Sequence, residues 1–467
     1  MNTYLLNIAR ALRDEVAPHV EPGAGRLALL ACIRMLLRLA QPQIEIAEAP
    51  PLDALPKELR DAIRNTGARP LLPHETPTEN SALASGNAAA IDQAVAWINH
   101  AKQSDRTTIA ALADWEGRLQ DAAEAQYETL QTPVSKPQDK THVLDPHAVE
   151  AYFKSRFGDQ VHMTAFKQLV GGTSKQTALV SLSGTDAVPN ELVIRRDQTA
   201  ETMTGSVVNE FPLLQIVHEA GVAVPRPLFL EKSPAALGKP FVALERLFGT
   251  SSASHFQVPE HTEVAYGLAE QIARLHAIPA QKFSGVFGDY PLQDSPERRR
   301  EPLAKMIEGW HHFVRTPSIT MTAAFRWMED NLDCAAGPMT LVHGDLGFHN
   351  MLVDGERFVS LLDWETAHID HPAGDLGYVR PVIERLVPWE KFLAVYRAAG
   401  GQPVTDRQIA FFGIWEILRI NIQLRHVRML IETSATEDIR LCEVGTYYVP
   451  RFVHRISQHL RRALHES

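Results

Sequence analysis

The segment Leu341-Val-His-Gly-Asp-Leu-Gly-Phe-His-Asn350 is followed closely by Leu361-Leu-Asp-Trp-Glu365. Each reads as a short apolar strand that runs out into carboxylate and amide oxygens. Asp345, Asn350 and Asp363 have the types and spacing that phosphoryl transfer uses for one base and two magnesium ligands: H-x-D-x-x-x-x-N, then an Asp at the end of a later strand. A hard magnesium ion takes oxygen ligands and keeps several waters, so Asn350 and Asp363 suffice to hold it beside substrate phosphates. Asp345 would then accept a hydrogen bond from the attacking hydroxyl and take its proton late in the transfer. Two plainer readings use the same residues. Asp345 and Asn350 are ordinary turn formers, and His343, Asp345 and His349 could ligate zinc. With 20 histidines in the chain, near neighbours arise by chance, and no H-E-x-x-H pattern accompanies these.

Residues that could grip a nucleotide lie upstream. Gly171, Gly172, Thr173 and Ser174 join two strand-like runs, where backbone amides can approach phosphates because glycine lacks a side chain. A Gly-Gly hairpin is also a common turn. The third run ends in Ile194-Arg195-Arg196, and Glu210 falls on the next helix. A strand cation paired to a helix Glu, reaching the phosphates, is how kinases hold a nucleotide. Lysine is usual at that strand position, but Arg195 or Arg196 can grip phosphate bidentately, and Lys175 is a further candidate contact. Surface cations beside a surface Glu would look the same in sequence. Glu245 follows the apolar strand Phe241 to Leu244 and opens a segment to Gly249, where a hinge would sit and backbone groups could meet an adenine edge.

These residues need elements to position them. Pro146 to Phe157 reads as a short helix. Phe166 to Val170, Thr177 to Leu182 and Glu191 to Arg195 read as strands, Thr204 to Ala220 as a helix stopped by Gly221 and Pro225, and Arg226 to Leu230 and Phe241 to Leu247 as two more strands. Mostly helical patterns follow. This order predicts a small sheet lobe over 148–248 before a large helical lobe over 249–467, with Asp345 and Asp363 facing the cleft. Within the second lobe, Val264, Leu268, Ile272 and Leu275 form a stripe leading to His276, read as a hydrogen-bonded core histidine. Residues 1–130 form an all-helical N-terminal domain on the same reasoning, with apolar stripes at Leu5, Ile8, Leu12 and Val16, at Leu30, Ile33 and Leu37, and at Ile91, Val95 and Ile98. Residues 131–147, with Thr132-Pro-Val-Ser-Lys-Pro-Gln-Asp139, read as a linker. A chain of 467 residues exceeds what one core supports, so several domains are expected.

Taken in order, Gly171-Gly-Thr-Ser174, Leu192-Val-Ile-Arg-Arg196, Glu210-Phe-Pro-Leu-Leu214, Phe241 to Gly249, His343 to Asn350 and Asp363-Trp-Glu365 resemble the aminoglycoside phosphotransferase family. The resemblance spans roughly residues 148 to 450 and implies an α+β, bilobal protein-kinase-like fold. It implies ATP or GTP as donor, Mg2+ as cofactor and a small hydroxylated molecule as acceptor. By the same resemblance Asp345 would be the catalytic base, Asn350 and Asp363 the magnesium ligands, and Asp375 in Pro372-Ala-Gly-Asp-Leu376 a buried brace of the catalytic loop. Trp415-Glu-Ile-Leu-Arg-Ile-Asn421 and Arg425 to Arg428 look most like phosphotransferase domains related to those fused to acyl-CoA dehydrogenases, which implies a hydroxylated acyl thioester or similar acceptor. The N-terminal helices look like a small domain that accompanies such phosphotransferases. The chain departs from the family in two places: Lys175 stands where Asn is usual, and Asp370-His-Pro372 where Gly-Asp-Pro is usual.

Composition narrows the partners. A net charge of -10 argues against a general nucleic-acid binder, which needs a basic surface. Cys32, Cys334 and Cys442 lie far apart without a C-x-x-C pattern, so neither a disulfide framework nor a thiolate metal site is expected, in keeping with a reducing cytoplasm. The N-terminus has no signal-like apolar region, and Leu27 to Ala40, broken by Arg34 and Arg38, is too short to span a bilayer. Asn421, Arg425 and Arg428 share a helix face that could bind an anionic acceptor, or form a solvated face with an Arg428 to Glu432 ion pair. No dense acidic run offers to hold a polycationic aminoglycoside. The stripes of residues 1–130 need a cover, either the following lobes or a second copy of the chain. The competing function, a nucleotide-binding regulator without turnover, has no need of the complete set of three catalytic oxygens.

Overall fold

The computed structural model describes residues 8–9, 12–17, 20, 29, 32–33, 35–36, 55–65, 90–102, 105–130, 144–169, 175–197, 205–253, 257–313, 318–432 and 448–466. Among them are helices α1 (Lys57–Asn65) and α2 (Arg106–Leu130), then α3 (Pro146–Phe157) at the start of the sheet lobe. Asp145 sets the start of α3: its side chain accepts the His147 N–H at 3.0 Å, and Pro146 occupies the first turn, where its missing N–H is not needed.

Strands β1 (His162–Leu169), β2 (Lys175–Ser183), β3 (Glu191–Asp197), β4 (Pro227–Glu231) and β5 (Phe241–Glu245) form one antiparallel sheet in the order β1-β2-β3-β5-β4. Helix α4 (Val207–Glu219) lies between β3 and β4 in sequence. The strands alternate, and both faces are covered. Ala178, Val180, Leu192, Ile194, Phe241 and Ala243 pack with Val149 and Phe153 of α3, while Val242 and Leu244 turn the other way, into the core that holds Leu213 and Val217 of α4. β1 begins at His162 rather than Phe166, because its pairing with β2 continues to Ser183 beyond the apolar run. Backbone hydrogen bonds, not side-chain hydrophobicity, set that end.

The helical lobe contains α5 (Glu263–His276), α6 (Pro296–Phe313), α7 (Ile319–Asp330), α8 (Ala373–Ile383), α9 (Trp389–Ala398), α10 (Asp406–Glu432) and α11 (Val449–Glu466). Short ladders run between these helices: β6 (Thr250–Ser251), β7 (Gln293–Asp294) with β8 (Gly337–Pro338), β9 (Thr340–Val342), β10 (Met351–Asp354), β11 (Arg357–Leu361) and β12 (His368–Asp370). β10 lies between β11 and β6, and β9 pairs with β12. Helices α8 and α10 cross in backbone contact, since a Cβ on Gly377 would fall 2.5 Å from the Gly413 Cα and the Ile409 carbonyl. Only glycine allows that approach, and it brings α10 under the turn that follows β9.

Residues before the sheet lobe bury into the helical lobe. Leu59, Ile63, Ala94, Ile98, Leu112 and Trp115 share one core with Met321, Phe411 and Ile456. Glu116 of α2, 6% exposed, caps α7 across this seam: it accepts the Ile319 N–H at 3.1 Å and the Thr320 N–H at 2.5 Å. Burial pushes its carboxyl up, against those hydrogen bonds. Arg461 of α11 donates to Asp121 at 2.9 Å and Arg451 lies 3.2 Å from Glu124. Among the described residues, no helix is long and apolar enough to cross a membrane.

Candidate active site

The turn after β9 is built on Asp375, whose side chain is fully buried at the start of α8. It accepts the His343 N–H at 2.9 Å, the Gly344 N–H at 3.0 Å and a bond from His276 Nε2 at 3.2 Å. His276 Nδ1 lies in turn 3.0 Å from the Tyr396 hydroxyl. Burial would raise the Asp375 carboxyl, but the His276 hydrogen bond and charge, with His343, hold it below the usual range. Gly344 has φ 78°, and a Cβ there would meet the Thr366 carbonyl at 2.8 Å, so the turn needs glycine. His343 is not available to zinc: its Nε2 bonds the Leu362 carbonyl at 3.0 Å and its Nδ1 accepts the Asp345 N–H at 3.4 Å.

This turn presents Asp345. Its Oδ1 accepts the Tyr378 hydroxyl at 2.6 Å, and its Oδ2 accepts Asn350 Nδ2 at 3.1 Å. His349 Nε2 lies 3.6 Å from the same Oδ2. Asn350, 7% exposed, spends its amide donors on Asp345, so its Oδ1, the atom a hard cation would use, is left over. Burial and the charge of Asp345 push the Tyr378 hydroxyl well above its ordinary pKa, which keeps it a donor. Arg455 of α11 stacks over the Tyr378 ring at 4.4 Å.

Asp363 stands opposite. With φ 64°, it is the one non-glycine residue in the left-handed region among the described residues. Such a conformation costs about 1–3 kcal/mol and persists where its surroundings enforce it. Here the Leu362 N–H is held by the Asn350 carbonyl at 2.8 Å, so both oxygen-bearing turns are tied together. The Asp363 Oδ1 accepts Arg195 Nη2 at 3.0 Å, and Arg195 Nη1 donates to Glu210. Burial works against the Arg195 charge, but Glu210, Asp363 and Glu365 together hold it firmly protonated. Of the two candidate cations on β3, Arg195 reaches the cleft, whereas Arg196 turns to Gln176 and the Leu237 carbonyl.

Lys175, at the start of β2, is 4% exposed. It donates to the Gly205 carbonyl and lies 3.4 Å from Glu365 and 3.8 Å from Asp197. Two sheet-lobe cations therefore meet the two acids of Asp363-Trp-Glu365. The lysine that departs from the family pattern has Glu365 as its counter-ion. Glu245 is placed apart, at the end of β5, where it accepts Arg226 Nε at 3.1 Å. The glycine-rich residues Gly171, Gly172, Thr173 and Ser174, and the side chains of Asn421, Arg425 and Arg428, lie outside the described residues.

A charged cluster lies beside the turn that follows β9. Arg299 pairs with Asp370, with one bond at 3.0 Å, and with Asp294. His368 Nε2 lies 3.3 Å from Glu416 and 3.6 Å from Asp370, and Glu416, fully buried, accepts Arg419 Nε at 3.0 Å. His368, Asp370 and Glu416 converge like metal ligands among the described residues, but Arg299 and Arg419 already neutralise the two carboxylates. The second departure from the family pattern is thus structural: Asp370 holds Arg299, and His371 Nδ1 accepts the Ala373 N–H at 3.1 Å to start α8.

Burial and Arg419 oppose charge on His368, yet Glu416 and Asp370 overcome both and raise its pKa to about 9. The folded value lies above the unfolded one near 6.5. The contribution of this cation is therefore complete below pH about 6.5 and is lost as pH rises toward about 9. Urea unfolding at pH 6 and pH 9 is expected to show lower stability at the higher pH, and a His368→Gln variant to show a smaller difference. An unchanged difference in that variant would assign the slope to other groups.

Sequence reasoning did not single out Tyr378 or the partner of Lys175, and it quoted the segment Trp415 to Asn421, which holds Glu416 and Arg419, without giving either residue a role. Tyr378 had a usable signal: it lies three residues after Asp375, on the same face of α8. The pairing of Lys175 with Glu365 and of Glu416 with His368 had none, because these partners come from distant segments.

A family model described as "Phosphotransferase enzyme family" matches residues 165–412. Acyl-CoA dehydrogenase family member 10 of Mus musculus is 25% identical over 269 residues, covering 53% of this chain. Acyl-CoA dehydrogenase family member 11 of Homo sapiens is 23% identical over 256 residues, covering 51%. The chain spans only 23% and 31% of the length of these two relatives. A solved structure from Ralstonia eutropha, assigned to the aminoglycoside phosphotransferases, aligns with TM-score 0.51 at 17% identity over 68% of this chain and 98% of its own. At that identity the likeness speaks for the fold, a sheet lobe followed by a helical lobe.

Proposed function

The chain belongs to the phosphotransferase enzyme family, and from that premise we propose that it transfers a phosphoryl group from ATP or GTP to a hydroxyl of a small molecule. One observation carries this reading. Arg195 bridges Glu210 of the sheet lobe to Asp363 of the helical lobe, while Asp345 and Asn350 bond each other on the adjoining turn. A strand cation, a helix acid, a base and two oxygen ligands thus line one cleft.

The donor set fits magnesium: the left-over Oδ1 of Asn350 and the carboxylate of Asp363, 40% exposed, are both hard oxygens. Asn350 and Asp363 would hold the ion, which would supply neutralising charge to the donor phosphates. Arg195, kept in place by Glu210 and with Lys175 nearby, would donate to phosphate oxygens. The backbone of Gly171 to Ser174 would cover them, and that of Glu245 to Gly249 would face the base. Asp345 would orient the acceptor hydroxyl and take its proton as the new ester bond forms. Tyr378 acts through Asp345, fixing the carboxylate so that one oxygen faces the acceptor. Tyr378→Phe is expected to lower turnover roughly tenfold, the scale of one hydrogen bond to a charged group. Nucleotide KM should stay nearly constant, and a raised KM with unchanged turnover would place the defect in binding instead.

As first acceptor class to test we propose a hydroxyacyl thioester or related metabolite, supported by the acyl-CoA dehydrogenase names of the relatives. Residues 1–130 would form an accessory helical domain, joined by residues 131–147 to lobes at 148–248 and 249–467. Phosphorus NMR of Mg-ATP with the protein, run against hydroxyacyl thioesters, other hydroxylated metabolites and aminoglycosides, tests the function. A new phosphomonoester signal, absent with Asp363→Asn, is the expected result. Nucleotide binding without product from any acceptor would favour a regulator that does not turn over.

A further inference from the structure

His368 opens β12 with both ring nitrogens engaged. Its Nδ1 lies 2.9 Å from the Thr366 carbonyl, and its Nε2 lies 3.3 Å from Glu416 Oε1 and 3.6 Å from Asp370 Oδ2. Carbonyl and carboxylate oxygens accept and do not donate, so both nitrogens must carry hydrogen to meet them. The ring that fits this place is the imidazolium. Facing it are Glu416 and Arg419 of α10 and Asp370 of β12, with Arg299 of α6 bound to Asp370. The strand paired with β12 is β9, which brings Thr340, Leu341 and Val342, none of which titrates.

Thr366 links this ring to the catalytic turn. Its hydroxyl donates to the His343 carbonyl at 2.9 Å. Its own carbonyl packs on Gly344, where a Cβ would meet that oxygen at 2.8 Å, Arg419 Nη2 at 2.9 Å and His368 Cε1 at 3.2 Å. Thr366 therefore touches both residues that precede Asp345, and it follows Asp363 closely in the chain. The Asn350 carbonyl and the Leu362 N–H already join the two oxygen-bearing turns. Thr366 is a second tie between them, and His368 fixes its carbonyl.

We propose that His368 is a positioning residue for phosphoryl transfer: its two ring N–H groups tie Thr366 to Glu416, and so set the place of Asp345 relative to Asp363. The role in transfer rests on reading the cleft as a phosphotransferase site. A neutral ring would turn one lone pair toward an oxygen, and the tie would slacken. Glu416 and Asp370 hold the ring charged up to pH about 9, so the tie is complete at neutral pH and weakens as pH rises through that value.

The test reads the turn itself, without substrate. The dipeptide His-Gly occurs in the chain only at His343-Gly344, so labelling histidine carbonyls with 13C and glycine nitrogens with 15N isolates the Gly344 amide. Its hydrogen exchange is followed from pH 7 to pH 10 relative to an unstructured peptide at the same pH, with sheet-lobe glycines of the same sample as controls. In the wild type, protection of Gly344 should fall at least about tenfold with rising pH while the controls hold, the scale of losing one charge-assisted bond. His368→Gln sets an amide near the Nε2 position and abandons Thr366, and it should show the low protection at every pH. His368→Asn sets one near Nδ1 and keeps the bond to Thr366, and it should recover most of the protection with no step in pH. With Mg-ATP and an acceptor, kcat should follow the same order among the three proteins at constant nucleotide KM. Equal Gly344 protection in wild type and His368→Gln, a loss shared by the controls, or transfer unmoved by His368→Gln would each overturn the positioning role. No transfer by the wild type to any acceptor, with the exchange pattern as expected, would instead overturn the phosphotransferase reading and leave the tie standing.

Discussion

Asp345→Asn is expected to lower phosphoryl transfer by about 10²- to 10⁴-fold, the range contributed by a positioned general base, while nucleotide affinity changes by no more than about twofold. The substitution keeps the volume and the acceptor for Tyr378, but removes the charge and the proton-accepting oxygen. It also sets an amide opposite the Asn350 amide, which now donates to Asp345 at 3.1 Å. Single-turnover transfer from Mg-ATP and a fluorescent-nucleotide titration separate the two effects. Wild-type turnover in this variant would end the proposed role of Asp345. Loss of nucleotide binding would instead mean that the turn carrying Asp345 supports the donor.

The second large effect is on stability. Asp375→Ala is expected to destabilise the protein by about 3–5 kcal/mol, as when one partner of a buried charged network is removed. The carboxylate now satisfies the His343 and Gly344 N–H groups and His276. Without it two backbone donors are orphaned in the core, and each such group alone costs about 1–3 kcal/mol. Water would have to enter, or the turn would have to move and take Asp345 with it. Urea unfolding measures the first consequence and transfer kinetics the second. A variant within about 1 kcal/mol of wild type would show that the turn is held by its strands, and the brace reading would fail.

The two effects share a helix. Asp375 fixes the backbone before Asp345, and Tyr378, one turn later on α8, fixes its side chain. Arg455 then ties α8 to α11, bonding the Tyr378 carbonyl and stacking on its ring. Because α11 also pairs with α2 through Arg461 and Asp121, α2 helps to support the helix that holds the Asp345 side chain.

Much of this arrangement was legible in the amino-acid sequence because it depends on near neighbours. The helix Pro146–Phe157 follows from a capping Asp and a first-turn proline, and the five strands of the sheet lobe follow from alternation interrupted by turn residues. The order of these elements was enough for the bilobal fold. Asp345, Asn350 and Asp363 stood out as oxygen-bearing residues at close spacing in the chain, and the structure ties their turns together through the Asn350 bonds to Asp345 and to the Leu362 N–H. Arg195 and Glu210 were legible as a strand and helix pair, but not which of two adjacent arginines would face the cleft. That was decided by strand pleat, as Arg195 and Arg196 point to opposite faces of β3.

Other features were set only in three dimensions. Glu116 caps α7 from two hundred residues away, Lys175 meets Glu365 across the lobes, and His368 is charged because Glu416 of α10 arrives beside it. Sequence states residue types and their order, which govern propensity, capping and periodicity. It does not state the distance between segments brought together by packing, and hydrogen bonds, ion pairs and pKa values vary steeply with that distance. The chemistry available to this chain was therefore determined by its sequence, whereas the partner, orientation and protonation of each group were decided by tertiary structure.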